Sequence, residues 1–346
     1  MNPIVLILLL LTMGLGTTIA LASSHWLVAW IGLEMNTLAF LPIMAHKSNP
    51  RTVEATTKYF LVQATAASMI LFAATVNAWY TGSWEIQQVL HPFNSTLFTL
   101  ALALKMGLAP LHLWMPEVLQ GLNLTTGLIL CTWQKIAPFC LMLQLHFFPP
   151  IVIALGLVSS LVGGWGGLNQ TQLRKLFAYS SIAHLGWMMV IVQFSPLLSL
   201  LSLLLYLIMT AGVFLNLMLT TSTTISALAS TSTKSLMASL VTPMVLLSLG
   251  GLPPLTGFMS KWLIIQELTK QDATLVAVLM IPPALLSLYF YLRITYIVTL
   301  TMTPNNLTGT TLWRFPQSKT SLLMAICIIL GLMILPITPT LLALLF

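Results

Sequence analysis

Several ionisable side chains stand where lipid-embedded helices ordinarily carry none. Glu34 in WIGLEMNTLAF, Lys105 in LALKMGLAPLHLWMPEV, Lys135 in CTWQKIAPF, His184 in YSSIAHLGWM and Lys261 in FMSKWLIIQE each fall inside an apolar run. His112 follows Lys105 in the same run. A charge at mid-membrane costs about 2.5–3.5 kcal/mol on insertion scales. The chemistry open to such groups is proton transfer. Desolvation disfavours the ammonium form of a lysine, and a nearby carboxylate restores it. Glu34 and Lys105 would then act as a switch: together, the lysine keeps its proton; apart, it releases it. A row of lysines with histidine and water between them can pass protons along.

Plainer readings compete with this one. A long cationic side chain near a helix end can snorkel to the interface. That suits Arg293, which lies near the end of its run, but not Lys105 and Lys135, whose flanks place them far from either surface. A polar group can also serve helix packing, and a lone histidine is more often a satisfied core group, so both readings stay open for His184 and His112. Glu54, Glu85 and Glu117 lie in loops or near run ends and read as ordinary interface charges.

Other chemistry finds little support. There is no GxGxxG, no P-loop and no haem or cluster ligand set. Cys131, Cys140 and Cys327 form no CxxC and lie in apolar runs, so no metal site is expected. No carboxylate-and-carbonyl cage favours sodium over protons. GGWGG (163–167) reads as close helix packing.

These residues must be positioned by membrane helices. Only 5% of the 346 residues are charged, 58% are hydrophobic and the mean hydropathy is +0.98; a soluble domain carries about 25% charged residues. The runs are continuous rather than alternating, which argues for helices and against a barrel. The fold expected is an all-α polytopic membrane protein with about eleven spans of ~20 residues, near 3–22, 25–45, 56–80, 95–120, 125–145, 149–168, 174–194, 197–220, 237–267, 274–299 and 322–343. The first run lacks the basic n-region of a secretory signal and reads as a retained span. The net charge of +7 is spread over short loops, so it is a topology signal rather than a nucleic-acid surface. Lys47, Arg51, Lys58, Arg174, Lys175, Lys234, Arg314 and Lys319 follow even-numbered spans, and only Lys270 follows an odd one. The N-terminus is therefore expected on the positive-inside face and the C-terminus opposite.

A repeat lies within these spans. GLAPLHLWM (107–115) resembles GLPPLTGFM (251–259), with Gly, Leu, Pro, Leu and Met in register. The copies lie five spans apart and so run in opposite directions, as in an inverted-topology repeat. Gly107 and Pro110 in one copy, and Gly251, Pro253 and Pro254 in the other, should break their helices. The chain is expected to form a single membrane domain over 1–346, with approximate repeat halves 25–168 and 174–299 and a last helix at 322–343.

WIGLEMNTLAFLP, LALKMGLAPLHLWMPEV, RKLFAYSSIAHLGWM and LGGLPPLTGFMSKW together resemble the antiporter-like subunits of respiratory complex I, over nearly the whole chain. The eleven-span length and the Thr/Leu/Met-rich, charge-poor composition match the short mitochondrial form, which lacks the first three spans of longer bacterial relatives. The resemblance implies the mitochondrial inner membrane, an N-terminus in the matrix and a C-terminus in the intermembrane space. It implies proton translocation in the membrane arm of NADH:ubiquinone oxidoreductase. Glu34 matches the family's glutamate, Lys105 its pairing lysine, Lys135 the central lysine, Lys261 the distal charge near the exit and His184 a histidine on the connecting route. No cofactor is implied in this chain. NADH, FMN, iron–sulfur clusters and ubiquinone are expected in other parts of the complex. Implied partners are other complex I membrane subunits, especially neighbouring antiporter-like subunits, and lipids such as cardiolipin. A stand-alone cation/proton antiporter and a non-pumping structural subunit are the alternatives.

Overall fold

The structure is a computed structural model describing residues 2–46, 49–89, 91–145, 149–233, 236–301, 321–338 and 340. Lys47, Lys234, Arg314 and Lys319 of the topology argument, and part of the last expected span, lie outside the described residues.

The described residues form helices α1 (Pro3–Ala22), α2 (Trp26–Met44), α3 (Pro50–Thr81), α4 (Pro92–Met106), α5 (Trp114–Gly121), α6 (Leu124–Cys131), α7 (Trp133–Gln144), α8 (Pro149–Gly167), α9 (Leu173–Ile191), α10 (Pro196–Thr220), α11 (Ile225–Ala229), α12 (Leu236–Gly250), α13 (Thr256–Lys270), α14 (Thr274–Leu300) and α15 (Ser321–Met333). Among the described residues, seven helical segments are long and apolar enough to cross a membrane by themselves, α6 and α7 counting as one. The pairs α4–α5 and α12–α13, with the less apolar α9 and the shorter α15, account for the remainder of about eleven. Proline occupies the first turn of α1, α3, α4 and α10, where its fixed φ suits the helix and its missing N–H is not needed.

The chain divides into two compact units, residues 1–159 and 160–346. In the first, α1 crosses α2 at two glycines. A Cβ on Gly16 would lie 2.8 Å from the Gly32 carbonyl oxygen, and one on Gly32 would lie 2.8 Å from the Gly16 carbonyl oxygen. Small residues let the backbones meet where lipid supplies no hydrophobic drive between helices. The outer face of α1 presents Ile4, Ile7, Leu8 and Leu11, each more than half exposed, as a lipid-facing surface. In the second unit, the glycines of GGWGG do the packing expected of them. Gly163 admits the Ala183 backbone of α9, and Gly167 admits the Phe290 ring of α14.

Both expected breaks are present, and they share one backbone geometry. α4 ends at Gly107 with φ +79°, and α12 ends beside Gly251 with φ +83°. The Gly107 N–H donates to the Ala103 and Leu104 carbonyls, and the Leu108 N–H to Ala103. The Gly251 N–H donates to Leu247 and Ser248, and the Leu252 N–H to Leu247. This is a Schellman-type end, which needs a left-handed residue and favours glycine there. The Pro110 and Pro253–Pro254 positions then keep the chain from resuming helix until Trp114 and Thr256.

A third interruption was not expected. The span over 125–145 is divided at Thr132, whose hydroxyl takes the Leu128 carbonyl at 2.7 Å. Such back-bonding bends helices, and Lys135 stands three residues beyond it.

Candidate functional site

In the first unit, α2 and α3 present polar residues at helical spacing toward α4 and α7. Asn36 and Thr37 come from α2, Tyr59 and Gln63 (i, i+4) from α3, and Gln134 and Lys135 from α7. Together with Lys105 they line one small cavity, with room for about one water molecule. Lys105 is 6% exposed and Lys135 2%, so neither ammonium snorkels. The structure therefore brings Lys105 and Lys135 to one polar pocket.

Glu34 stands beside it. Its Oε1 lies 3.8 Å from Lys105 Nζ, an ion-pair distance but beyond a hydrogen bond. Thr37 Oγ1 donates to Glu34 Oε2 at 3.4 Å. Neither Glu34 Oε1 nor Lys105 Nζ has a hydrogen-bond partner among the described residues. The pair is coupled through its charges but not locked by directional bonds.

Other groups meet the backbone carbonyls freed where α4 ends, and so leave the Lys105 ammonium to Glu34. Besides the glycine and leucine N–H groups already described, Trp114 Nε1 donates to Leu104 O at 3.2 Å and Gln63 Nε2 to Lys105 O at 3.3 Å. Buried backbone groups need such partners, most of all in lipid. A chain of neutral side chains lines the same cavity. The Tyr59 hydroxyl donates to Gln134 Oε1 at 3.5 Å, and Gln134 Nε2 donates to Asn36 Oδ1 at 3.1 Å.

His112 sits in the first break itself. It is 7% exposed, with Nδ1 3.3 Å from the Pro110 carbonyl. It does not line the lysine cavity.

In the second unit, His184 of α9 and Lys261 of α13 line one narrow cleft with Ser180, Ser287 and Tyr291. Lys261 Nζ reaches back across the break and donates to Gly250 O at 2.8 Å. The lysine stem lies over Gly251, where a Cβ would meet it at 3.2 Å. The last carbonyls of a helix carry partial negative charge and attract cations, so α12 holds this ammonium with its C-terminus. The His184 ring lies 5.4 Å from the Tyr206 ring.

Arg293, the candidate for snorkelling, is half-buried, and its Nη1 donates to Leu168 O just past α8 at 2.8 Å. Among the expected interface charges, Lys58 contacts both Glu54 and Glu117 at 2.7 Å and so ties α3 to α5.

Sequence reasoning named the charged members and missed the neutral ones: Asn36, Tyr59, Gln63 and Gln134 in one unit, Ser180, Ser287 and Tyr291 in the other. The i, i+4 pair Tyr59/Gln63 in an apolar helix was the readable signal, because polar residues at helical spacing mark one face.

Comparison with known proteins decides the family. Residues 23–287 match the model of the NADH:quinone oxidoreductase/Mrp antiporter transmembrane family. Residues 288–342 match the NADH dehydrogenase subunit 2 C-terminus. The chain belongs to this family. Among its relatives, NADH-ubiquinone oxidoreductase chain 2 of Tetraodon nigroviridis is 61% identical over 345 residues, covering 99% of both chains. The protein of the same name from Salmo salar is 62% identical over 341 residues, covering 98% of both. A chain of respiratory complex I from Thermus thermophilus superposes with a TM-score of 0.80 at 28% identity, over 96% of this chain and 79% of that one. A chain of the Mrp complex from Dietzia shares the fold alone, with a TM-score of 0.77 at 15% identity over 97% of this chain and 76% of that one. The antiporter-like architecture and the multi-pass membrane location are thus properties of this NADH dehydrogenase subunit 2 family member.

Proposed function

We propose that the chain is a membrane-arm subunit of a proton-pumping NADH:ubiquinone oxidoreductase and carries protons through buried side chains. The observation that carries this reading is the Glu34–Lys105 pair, 3.8 Å apart, with Lys105 opening onto the same cavity as Lys135. Glu34 offsets the desolvation of the Lys105 ammonium. Drawing the pair apart removes that offset and favours passage of the proton into the cavity, where Tyr59, Gln134 and Asn36 bridge toward Lys135. In the second unit, His184 and Lys261 form the corresponding proton-handling cleft, and Lys261 gives the exit. Redox chemistry belongs to other subunits, which hold NADH, FMN, iron–sulfur clusters and ubiquinone. The partners are the other membrane subunits of that complex. The location is the mitochondrial inner membrane, with the N-terminus in the matrix and the C-terminus in the intermembrane space, as the loop charges favour.

The test is Lys135→Ala in the assembled complex, reconstituted in sealed vesicles. Protons moved per NADH oxidised should fall while assembly is retained. Full stoichiometry with normal assembly would sink the proton path and leave the chain a structural spacer. A stand-alone cation/proton antiporter draws support from the Mrp-like fold. It requires that the chain purify without an NADH-oxidising assembly.

A further inference from the structure

Between α12 and α14 the second unit carries a groove of about 730 Å³, open along one side. Leu240, Met244 and Leu292 form its apolar walls, and the Tyr289 and Tyr296 rings flank them; all five are at least 40% exposed. Arg293 is the charged residue lining it. The guanidinium is pinned by its bond to Leu168 O, at the end of a membrane span and just before the polar loop NQTQLRK (169–175). That height is the headgroup level, on the face that carries most of the basic loop residues. Among the described residues Arg293 has no carboxylate partner and no second hydrogen-bond acceptor. A guanidinium at the rim of an apolar groove needs a counter-charge.

We propose that this groove is a binding site for a glycerophospholipid with an anionic headgroup. The phosphate takes the outward N–H groups of Arg293, which match its oxygens in a fork geometry. One acyl chain lies along Leu240, Met244 and Leu292, out of contact with bulk lipid. The tyrosines stand at the headgroup boundary, where aromatic residues with one polar end are favoured. Charge complementarity selects this occupant over a zwitterionic lipid or an apolar protein helix: neither brings net negative charge to Arg293.

The test uses the assembled complex in phosphatidylcholine vesicles doped with acyl-chain diazirine probes, either phosphatidylglycerol or phosphatidylcholine. Cross-linked peptides are read by mass spectrometry. The anionic probe should label residues 240–247 and 289–299 about fivefold more than the zwitterionic one. Arg293→Gln should abolish that preference and Arg293→Lys should keep most of it. Met244→Trp, which narrows the groove without touching Arg293, should lower labelling by both probes. Equal labelling by the two probes, or a preference that survives Arg293→Gln, overturns the proposal in favour of bulk lipid. Absence of groove labelling by either probe in the assembled complex overturns it in favour of a protein neighbour.

Discussion

The two broken helices use the same backbone device and the opposite side-chain arrangement. Each first half-helix ends at a glycine near φ +80° with the same pattern of N–H donors. At the first break, the neutral groups of Trp114 and Gln63 meet the freed carbonyls, and Lys105 is left facing Glu34. At the second, Lys261 is itself the cap on Gly250 O. One lysine is therefore coupled to a group that can change charge. The other is held by a helix end whose partial charge is fixed. A switch can operate only where the counter-charge can move or titrate. On the proposed proton path, the first break is thus suited to control and the second to conduct whatever reaches it.

The largest expected effect comes from removing the movable charge. Glu34→Gln should slow proton transfer through this chain at least about tenfold, the scale of losing a positioned proton-transfer group, and so lower the protons moved per NADH. An acid-pulse assay on vesicles reads it directly, and unchanged stoichiometry would erase the contrast between the breaks. The glycines come next. Gly107→Ala and Gly251→Ala each place a Cβ in the left-handed region, costing about 1–2 kcal/mol. At Gly107 that Cβ meets Met115 Sδ and the Trp114 ring, whereas at Gly251 it meets the Lys261 stem. Thermal stability should fall similarly for both, and pumping per NADH should fall for Gly251→Ala as the Lys261 cap is displaced; unchanged pumping there would mean that the cap is incidental.

Gln63→Leu should have a smaller and purely local effect. It leaves the buried Lys105 carbonyl short of a partner, at about 1–3 kcal/mol, read as a lower unfolding temperature with pumping retained. Smallest is Lys58→Ala. The bridges to Glu54 and Glu117 are solvent-exposed and exposed ion pairs contribute little, so assembly and activity should match wild type at moderate salt.

Much of this was legible in the residues. Hydropathy determined the class and the approximate number of spans, because no other fold can satisfy buried backbone groups over such continuous apolar runs. The GLxPL repeats determined both breaks, because glycine followed closely by proline stops a helix regardless of its neighbours. Charged residues in apolar runs announced the candidate site, because their desolvation cost needs a reason. The Thr132 interruption escaped notice because threonine is tolerated inside helices and its back-bond is a choice of rotamer. Which lysine meets a carboxylate and which meets a carbonyl was decided only by tertiary structure. That choice depends on the approach of Glu34 on α2 to Lys105 on α4, and on the direction in which the Lys261 stem folds over Gly251. The neutral bridge of Tyr59, Gln134 and Asn36 was likewise set by tertiary structure. It joins three helices distant in sequence, and residue spacing along one helix carries no information about a partner on another.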